Sequence, residues 1–350
     1  MTDQKRSQHN FRSNILLFCV SALISCVFGE VFLRTLGYYG MRGSKVINLQ
    51  AIENNILDYR IIPNSSWIEN NIIYNINKHG WRDENHAYQK TENTYRILVL
   101  GDSLTYGYML RLEDIYAKQL EQTVRQHSPS SKPSEVILMA MQGLNTVQEA
   151  HLLEIEGLQY QPDLVILGYV LNDASPGSRL KSHQNISIFY RMKQIIAHSS
   201  LIHYTYKSAK RISWTFALAL GLEQVENVVR QDYLSAHYTS PDRWNQVFTA
   251  FKTIDRLAQA NGIQDVVVMI FPVLYNLEKY PWKAIHRQVT EAALQHHFKV
   301  LDLLQVYQQY THHALQIDNG DNIHPNAFGH QLAANALYQF LHENALLPER

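Results

Sequence analysis

From about residue 96 onward the chain alternates short, uninterrupted apolar runs with longer amphipathic stretches. The apolar runs predict five buried strands, over residues 96–100, 136–139, 164–169, 265–271 and 299–302. The amphipathic stretches predict helices over residues 113–126, 146–160, 243–261 and 326–343. Continuous apolar strands that alternate with helices are typical of a parallel sheet covered on both faces. The pattern therefore predicts an α/β fold, a three-layer α/β/α arrangement with a mostly parallel central sheet.

A different pattern occupies the N-terminus. Residues 15–29 contain no charge, Glu30 follows, and the apolar run then continues to Leu33. Read to Leu33, the run would be about 28 Å long as a helix, which is enough to cross the hydrocarbon core of a bilayer. The sequence therefore predicts a transmembrane anchor helix over residues 14–36, preceded by a cytoplasmic tail of residues 1–13.

Flanking charges and short motifs distinguish an anchor helix from the other functions that this apolar segment could have. Lys5, Arg6 and Arg12 precede it, which favours a cytoplasmic N-terminus and an exported body. A cleaved secretory signal is one alternative. A lipoprotein signal is another, because Leu23-Ile24-Ser25-Cys26 resembles a lipobox in which Cys26 would be lipidated. A buried core helix is the third alternative. All readings except the last place residues 40–350 in the periplasm or outside the cell.

Composition narrows the class of protein. The 350 residues carry 31 basic and 31 acidic side chains, so the formal net charge is zero. This balance argues against a protein held to nucleic acid by bulk charge. The content of 46% apolar and 18% charged residues excludes disorder over most of the length. Since the only cysteines, Cys19 and Cys26, lie in the apolar N-terminal run, a disulfide scaffold or a cysteine zinc site in the body is excluded.

The remaining chain divides by pattern. Residues 37–94 are rich in Asn, Ile and Tyr, lack helical periodicity, and are predicted to be a juxtamembrane lead-in with short strands. The main domain is predicted over residues 95–345. Within it, residues 176–242 lack a core strand and are predicted to form a helical insertion. The sequence leaves the oligomeric state open.

Two polar clusters directly follow predicted strands, and a third lies just before the last predicted helix. They are Gly101-Asp102-Ser103-Leu104-Thr105-Tyr106-Gly107, Gly168-Tyr169-Val170-Leu171-Asn172-Asp173 and Asp321-Asn322-Ile323-His324-Pro325-Asn326. Ligand sites in doubly wound sheets gather beyond the carboxyl ends of the strands. A serine in a strand-to-helix turn can act as a nucleophile if a base removes its proton. An aspartate three residues before a histidine can orient that base, and an asparagine amide can donate to a developing oxyanion.

Each cluster also has a purely structural interpretation. Asp102 or Ser103 is an ordinary helix cap, Asn172 an ordinary turn residue, and Asn326 an ordinary cap for the last helix. The coincidence of three clusters at one predicted sheet edge favours chemistry over three independent caps.

In these residues the chain resembles the SGNH hydrolases, also called GDSL-type lipases and esterases, in their membrane-anchored bacterial form. Four blocks carry the resemblance: Gly101-Asp102-Ser103-Leu104, Met141-Gln142-Gly143-Leu144-Asn145-Thr146, Asn172-Asp173 and Asp321-Asn322-Ile323-His324. The order and spacing of the blocks extend the resemblance over residues 95–345. An upstream segment, residues 77–83, also looks like the lead-in of such proteins. One departure is that the third block usually reads Gly-x-Asn-Asp, whereas Val170 stands two residues before Asn172 here.

The resemblance implies a role for each matched residue. Ser103 is expected to be the nucleophile, His324 its base and Asp321 the residue that orients His324. The backbone N–H groups of Ser103 and Gly143 and the side chain of Asn172 are expected to form the oxyanion hole. The chemistry requires no cofactor and no metal. The histidine pairs 296–297 and 312–313 are accordingly expected to be exposed side chains rather than metal ligands.

These expectations favour a serine ester hydrolase that cleaves carboxylic esters, such as O-acetyl or other acyl groups of cell-envelope polysaccharide or lipid, through an acyl-serine intermediate. Its expected partners are the ester substrate and the membrane, without nucleic acid. Two alternatives stay open. The same residues can transfer an acetyl group to a polysaccharide hydroxyl, and a domain of this fold can bind polysaccharide without catalysis. The helical insertion is the expected specificity element.

Overall fold

A computed structural model gives the fold. It describes residues 2–36, 49–52, 56–57, 59–127, 133–177, 199–202, 204–205, 208, 233–318 and 320–348, with side chains from residue 13 onward. Most of the predicted insertion, residues 178–198 and the larger part of 203–232, lies outside the described residues. Helical residues among its described parts are 200–202, 204–205, 208 and 233–239.

The central sheet has five strands, all parallel, in the order β6-β5-β7-β8-β9. The strands are β5 (Tyr95–Gly101), β6 (Ser134–Ala140), β7 (Leu164–Val170), β8 (Asp265–Phe271) and β9 (Lys299–Asp302). β5 and β7 are buried at every position, which explains their unbroken apolar sequence. The predicted parallel sheet is confirmed.

Helices cover the sheet. They are α2 (Tyr116–His127), α3 (Thr146–Ile155), α4 (Pro241–Ala260), α5 (Lys283–Gln295), the short α6 (Leu304–Tyr307) and α7 (His312–Leu315), and α8 (Ala327–Glu343). α2 packs against α8, whereas α3 packs against α4, which in turn contacts α5. The chain reverses its direction across the sheet after β6, which places α2 and α3 on opposite faces. The expected three-layer architecture is confirmed.

This strand order sets the position of the site. The chain leaves β5 first toward β6 and then, after β6, crosses to β7 on the other side of β5. The crevice between the carboxyl ends of β5 and β7 is therefore the switch point at which doubly wound sheets bind ligands. The first and second polar clusters begin at the ends of these two strands.

The lead-in forms two antiparallel hairpins that pack onto the sheet. Their strands are β1 (Leu49–Ala51) with β2 (Tyr59–Ile61), and β3 (Ser66–Glu69) with β4 (Ile72–Asn75). Tyr59, Tyr74 and Trp81 are buried in the same hydrophobic core as the central strands. Asp83 accepts hydrogen bonds from the backbone N–H of Leu138 at 2.8 Å and from the Lys118 ammonium group at 2.7 Å. The lead-in thus contributes to the core of the main domain.

The N-terminal helix, α1 (Thr2–Thr35), contains an apolar segment from Ser13 to Thr35 that is long enough to span a membrane. Cys19 and Cys26 lie exposed on it. Near its end, the Glu30 carboxylate accepts hydrogen bonds from the hydroxyl of Ser199 and the backbone N–H groups of Ser200 and Leu201, each at 2.9 Å. Glu30 therefore caps the first described helical turn of the insertion.

Candidate active site

The first polar cluster forms a tight turn after β5. Gly101 permits this turn, because a Cβ atom there would lie 2.1 Å from Oγ1 of Thr105. The Arg82 guanidinium group of the lead-in donates to the backbone carbonyls of Tyr106 at 3.0 Å and Gly107 at 2.7 Å. Ser103 stands in the turn with a half-buried side chain. The turn is thus held from the lead-in side and presents the Ser103 hydroxyl at the sheet edge.

The last polar cluster forms a loop braced at both ends. The N–H of Ile317 donates to the carbonyl of His324 at 3.0 Å, which closes the loop. The side chain of Asn326 accepts from the N–H of Gly329 at 3.0 Å and caps α8. The expectation that Asn326 is a helix cap is therefore confirmed. Because the cap fixes the start of α8, the position of His324 two residues earlier is fixed as well.

The structure brings Ser103, His324 and Asp321 together in one hydrogen-bonded chain. Nε2 of His324 lies 2.9 Å from Oγ of Ser103. Nδ1 of the same ring lies 2.9 Å from Oδ2 and 3.1 Å from Oδ1 of Asp321. These distances are within the normal range for hydrogen bonds. The geometry allows the hydroxyl proton to move to Nε2 while the carboxylate holds the opposite nitrogen.

The charge of Asp321 is stabilised locally. Burial alone raises the pKa of this carboxyl group. The carboxylate accepts hydrogen bonds from the His324 ring, from the backbone N–H of His324 at 2.9 Å and from the backbone N–H of Ile323 at 3.0 Å. Together these hydrogen bonds and the charge of His324 outweigh the effect of burial. The pKa of Asp321 therefore lies below its ordinary value, so the group is negatively charged at neutral pH. A carboxylate in this state stabilises a positively charged imidazole beside it.

Asn172 follows β7 and lies beside the turn of residues 101–107, which holds Ser103. Its Nδ2 donates to Oδ2 of Asp102 at 3.3 Å, and the same carboxylate oxygen lies 3.4 Å from Oγ of Ser103. Gly168 allows this approach, because a Cβ atom there would lie 2.3 Å from Oγ1 of Thr105. The departure at Val170 therefore leaves Asn172 next to Ser103. Since an amide nitrogen has two hydrogens, one remains to donate elsewhere.

Gly143 lies on the opposite side of β5 from Asn172. It follows β6 by three residues, and the last residue of β6, Ala140, is the register partner of Gly101. Gly143 has a φ of +80°, which favours glycine. Among the described residues, its backbone N–H has no hydrogen-bond partner. The N–H group is therefore available at the sheet edge that holds Ser103.

The sequence offers Tyr106, Tyr108 and Tyr169 as side chains that could line a substrate cleft, and Tyr108 lies beside His324. Its ring centroid lies 4.8 Å from that of His324, at a tilt of 49°. Burial, followed by nearby carboxylates, raises the pKa of Tyr108 to about 12, so the phenol is neutral at ordinary pH. The ring covers one side of the His324 imidazole. By contrast, Tyr106 and Tyr169 lie in the core.

Two further carboxyl groups, Glu149 on α3 and Asp173 after β7, are buried near Asp102. Burial, and then the charge of the neighbouring carboxyl groups, raises the pKa of both well above ordinary values. Among the described residues, neither oxygen of Glu149 has a hydrogen-bond partner. A helical pattern alone does not reveal such a residue, because α3 is covered by α4 only in the folded chain.

The histidine pairs differ from the expectation in one respect. His296 is buried, with its ring 4.7 Å from that of Phe248, so the expectation of exposure is wrong there. α5 ends at this point and the side chain turns inward against α4. His297 and His313 are exposed, and His312 is half-buried. Within the described ranges, no group of three or more His, Cys, Asp or Glu side chains is arranged to hold a metal ion.

The profile of the GDSL-like Lipase/Acylhydrolase family matches residues 99–332. A search among curated protein sequences finds no match.

Several solved structures are similar. One is LAE5, an alpha/beta hydrolase from the metagenome of Lake Arreo, at 16% identity and a TM-score of 0.43, covering 75% of this chain and 99% of its own. A catalytic mutant of the acetylxylan esterase Axe2 from Geobacillus stearothermophilus has 15% identity and a TM-score of 0.41, covering 73% and 97%. A member of the lipolytic G-D-S-L family from Veillonella parvula has 13% identity and a TM-score of 0.40, covering 71% and 98%.

The family profile extends from β5 to α8 and includes all four motif blocks. The chain therefore belongs to the GDSL-like lipase/acylhydrolase family and is an ester-bond hydrolase.

Proposed function

We propose that this protein is a membrane-anchored serine esterase that hydrolyses acyl esters of cell-envelope polysaccharide or lipid outside the cytoplasm. In this proposal Ser103 is the nucleophile, His324 the general base and acid, and Asp321 the residue that orients His324. The backbone N–H groups of Ser103 and Gly143 and the side chain of Asn172 form the oxyanion hole.

One observation carries the assignment. The Ser103 hydroxyl, the His324 ring and the Asp321 carboxylate form an uninterrupted chain with both links at 2.9 Å. The structure contains a second Asp–His pair, Asp302 with His286, also at 2.9 Å, but its other ring nitrogen faces the buried hydroxyl of Tyr280. Only the first pair ends on an aliphatic hydroxyl at the sheet edge among the described residues. A base aligned on such a hydroxyl is the requirement for serine nucleophilic catalysis.

The acylation step uses these atoms as follows. As Oγ of Ser103 attacks the ester carbonyl carbon, Nε2 of His324 takes the hydroxyl proton, and the carbonyl electron pair moves to oxygen. The oxyanion-hole donors stabilise that oxygen, and losing one such donor typically costs about 2.7–4 kcal/mol. The tetrahedral intermediate then expels the alcohol, which receives the proton from Nε2. The result is an acyl-Ser103 ester.

Deacylation repeats the sequence with water. Nε2 of His324 takes a proton from water as its oxygen attacks the acyl carbon, and later returns that proton to Oγ of Ser103. Throughout both steps Asp321 stays charged, because its pKa is lowered by the His324 and Ile323 hydrogen bonds that outweigh its burial. The negative charge stabilises the transient imidazolium.

The proposed location rests on the N-terminal helix. Its apolar segment has a mean hydropathy of 2.4 and is not buried by the described protein. Basic residues before it favour a cytoplasmic N-terminus, with the catalytic domain in the periplasm or outside the cell. A lipoprotein form attached through Cys26 is the minor alternative to a single-pass anchor.

The test uses the full chain in detergent with 4-nitrophenyl esters of two to twelve carbons. We expect Ser103→Ala to lower kcat by about 10⁶-fold. Asp321→Asn is expected to lower kcat by about 10³- to 10⁴-fold, because the tautomer of His324 is no longer fixed. The matched control is Asp302→Asn, which changes the second Asp–His pair and should leave turnover of these small esters within a few fold of wild type.

The outcomes separate the alternatives. Serine-dependent release supports hydrolysis, and the chain-length profile distinguishes acetyl from long-chain substrates. Equal losses in Asp321→Asn and Asp302→Asn would contradict the assigned roles. No release by a folded wild-type protein, with transfer of acetyl to a saccharide hydroxyl instead, would support acyl transfer.

A further inference from the structure

A second concave region lies on the same sheet edge as Ser103. It is a pocket of about 610 Å³ between the loop that follows β8 and the segment that joins α6 to α7. Both walls follow the carboxyl ends of strands, because β8 ends at Phe271 and β9 at Asp302. We call it the β8 pocket. Its volume is in the range of pockets that bind small organic ligands. Its lining residues are Tyr275, Asn276, Leu277, Glu278, Gln308, Gln309, Tyr310, Thr311, His312 and His313.

The β8 pocket is joined to the loop that holds His324. The backbone N–H of Leu274, next to the pocket, donates to the carbonyl of Asn322 at 2.7 Å. The side-chain amide of Gln316 donates to the carbonyl of Leu274 at 3.0 Å and to Oδ1 of Asn322 at 2.7 Å. Asn322 directly follows Asp321. The pocket wall and the histidine loop are therefore parts of one hydrogen-bonded framework.

The strand order places Ser103 and the pocket loop at separate points of one sheet edge. β5, which leads to Ser103, is separated from β8 by β7 alone. The ends of β5 and β8 therefore lie roughly 10 Å apart, which is two strand spacings. A ligand that fills the pocket and also reaches Ser103 therefore has to be longer than a single sugar ring or a short acyl group.

The lining of the β8 pocket selects the chemistry of its occupant. Tyr275, Tyr310 and His312 provide ring faces, and Asn276 and Gln309 provide amide groups. Burial, and then the neighbouring His313, lowers the pKa of His312, so its ring is neutral at neutral pH. Among the described residues that line the pocket there is no lysine or arginine, and one carboxylate, Glu278, is present.

This combination excludes two classes of occupant. A phosphate or carboxylate group would meet the Glu278 charge without a cation to pair with it. A hydrocarbon chain would bury the amide groups without hydrogen bonds, which costs free energy. An uncharged saccharide fits both requirements, because its C–H faces pack on aromatic rings and its hydroxyls bond to amides.

The β8 pocket is also preformed. The N–H of Val273 donates to the hydroxyl of Tyr280 at 2.9 Å, and that hydroxyl lies 3.0 Å from Nε2 of His286. The side-chain amide of Gln308 donates to the carbonyl of Leu277 at 2.8 Å and links the two walls. A binding site held in this way requires little ordering when the ligand arrives.

We propose that the β8 pocket binds an uncharged sugar unit of the substrate, while another unit of the same chain presents its ester to Ser103. The assignment rests on the proposed esterase function and narrows its substrate to the esters of a neutral polysaccharide.

The first experiment compares two substrates for the full chain in detergent. One is 4-nitrophenyl acetate, and the other is chemically O-acetylated cellohexaose. In Tyr275→Ala and Tyr310→Ala, the ratio of kcat/KM for the oligosaccharide to that for 4-nitrophenyl acetate should fall by about 5- to 10-fold, mainly through KM. Tyr310→Phe keeps the ring and should retain most of the wild-type ratio. The matched control, Tyr338→Ala, removes a half-buried tyrosine of α8 that lies outside the pocket and should leave the ratio unchanged.

The second experiment does not depend on turnover. Binding of unmodified cellohexaose to Ser103→Ala is measured by saturation-transfer NMR, and adding Tyr310→Ala should weaken it by a similar factor. An unchanged substrate ratio together with unchanged binding would overturn the proposal. The proposal would also be overturned if Tyr275→Ala and Tyr310→Ala lowered kcat/KM for 4-nitrophenyl dodecanoate alone, because the pocket would then bind an acyl chain. Absence of turnover in the wild type, with cellohexaose binding retained, would instead overturn the esterase function alone.

Discussion

Buried carboxyl groups lie in and next to the nucleophile turn, residues 101–107, which holds Ser103. Burial raises the pKa of Asp102, although the N–H of Leu104 and the amide of Asn172 oppose this effect. Burial, and then the neighbouring carboxyl groups, raises the pKa of Glu149 and Asp173 well above ordinary values, which favours the protonated form of both groups. A neutral acid can occupy this apolar position without adding a charge close to the oxyanion that forms above it. We infer that protonation of Glu149 and Asp173 is a condition for a stable site.

This inference gives a pH-dependent prediction for Glu149. The folded-state pKa of Glu149 lies above its unfolded value of about 4.3, so the folded state binds the proton more tightly. The free energy of unfolding therefore falls as the pH rises from the unfolded-state pKa to the folded-state pKa. Glu149→Gln removes this dependence. We expect the variant to match the wild-type Tm at pH 5 and to exceed it by ~2–4 °C at pH 8. Thermal unfolding at both pH values measures the difference.

The control for Glu149→Gln is Glu154→Gln, which changes an exposed glutamate near the end of the same helix, α3. It should shift Tm equally at the two pH values. A Glu149→Gln variant that is less stable than wild type by the same amount at both pH values would show that Glu149 acts as a charged hydrogen-bond acceptor.

At the scale of elements, the lead-in contributes directly to the site. The Arg82 guanidinium group lies 4.1 Å from the ring centre of Tyr74 and 5.3 Å from that of Tyr106, and it donates to the carbonyls of the nucleophile turn. The next residue, Asp83, is fully buried and joins the lead-in to α2 and β6 through Lys118 and the Leu138 N–H. Arg82 thus joins the lead-in to the turn that holds Ser103, and Asp83 joins the lead-in to α2 and β6.

Asp83→Asn tests this connection. Burial raises the pKa of Asp83, but His86, Lys118 and the Leu138 N–H outweigh burial and lower it. A lowered pKa means that the stabilisation is present above the unfolded pKa of about 3.9 and is lost as the pH falls through the folded value. We expect the variant to lose about 3 kcal/mol of unfolding free energy at pH 7, and much less near pH 3. Urea unfolding at both pH values provides the measurement, with exposed Glu84→Gln as the control. A pH-independent loss would contradict the ionic origin.

The elements were predictable where neighbours in sequence determine them. The unbroken apolar runs of β5, β7 and β8 match the predicted strands to within one residue at each end. The predicted helix 146–160 instead ends at Ile155 and continues as a 3-10 turn, Gly157–Tyr160. A Cβ atom at Gly157 would lie 2.9 Å from Leu98. The Glu156 carboxylate accepts from the Trp81 indole at 2.7 Å. These constraints come from residues far away in sequence.

The site was predictable to a similar degree. The motif blocks indicated Ser103, His324 and Asp321, which lie in one hydrogen-bonded chain. Glu149 and the β8 pocket were not indicated, because their environment depends on how loops and helices from separate parts of the chain pack together. The histidine at position 296 shows the same limit, since its burial depends on Phe248 of another helix.

For the molecule as a whole, Glu30 connects the N-terminal helix to the body. The cap it provides to Ser200 and Leu201 is stronger than the exposed ion pair that it also makes with Arg34 at 2.7 Å. Leu201 also packs against Gly29, where a Cβ atom would lie 3.3 Å from its side chain. Residues 199–201 of the insertion are therefore attached to the end of the candidate membrane helix.

Glu30→Ala should loosen this attachment. Loss of an N-terminal cap leaves the N–H groups of Ser200 and Leu201 without their acceptor, so their hydrogen exchange should accelerate by about fivefold. Exchange followed by mass spectrometry on the full chain in detergent micelles measures this effect. Arg34→Ala removes the ion pair with Glu30, leaves the Glu30 cap in place, and should change exchange by less than twofold. Equal acceleration in both variants would show that the salt bridge, and not the cap, holds the two segments together.

The separation of Ser103 from His324 has a consequence for the timing of synthesis. The two side chains meet across 221 positions of sequence. A ribosome that adds about 5–20 residues per second takes roughly 10–45 s to cover that interval. During this time the hydroxyl is made but its proposed base does not yet exist. In the proposed mechanism a nascent chain therefore cannot attack esters, and chemistry begins only after nearly the whole polypeptide has been made and folded.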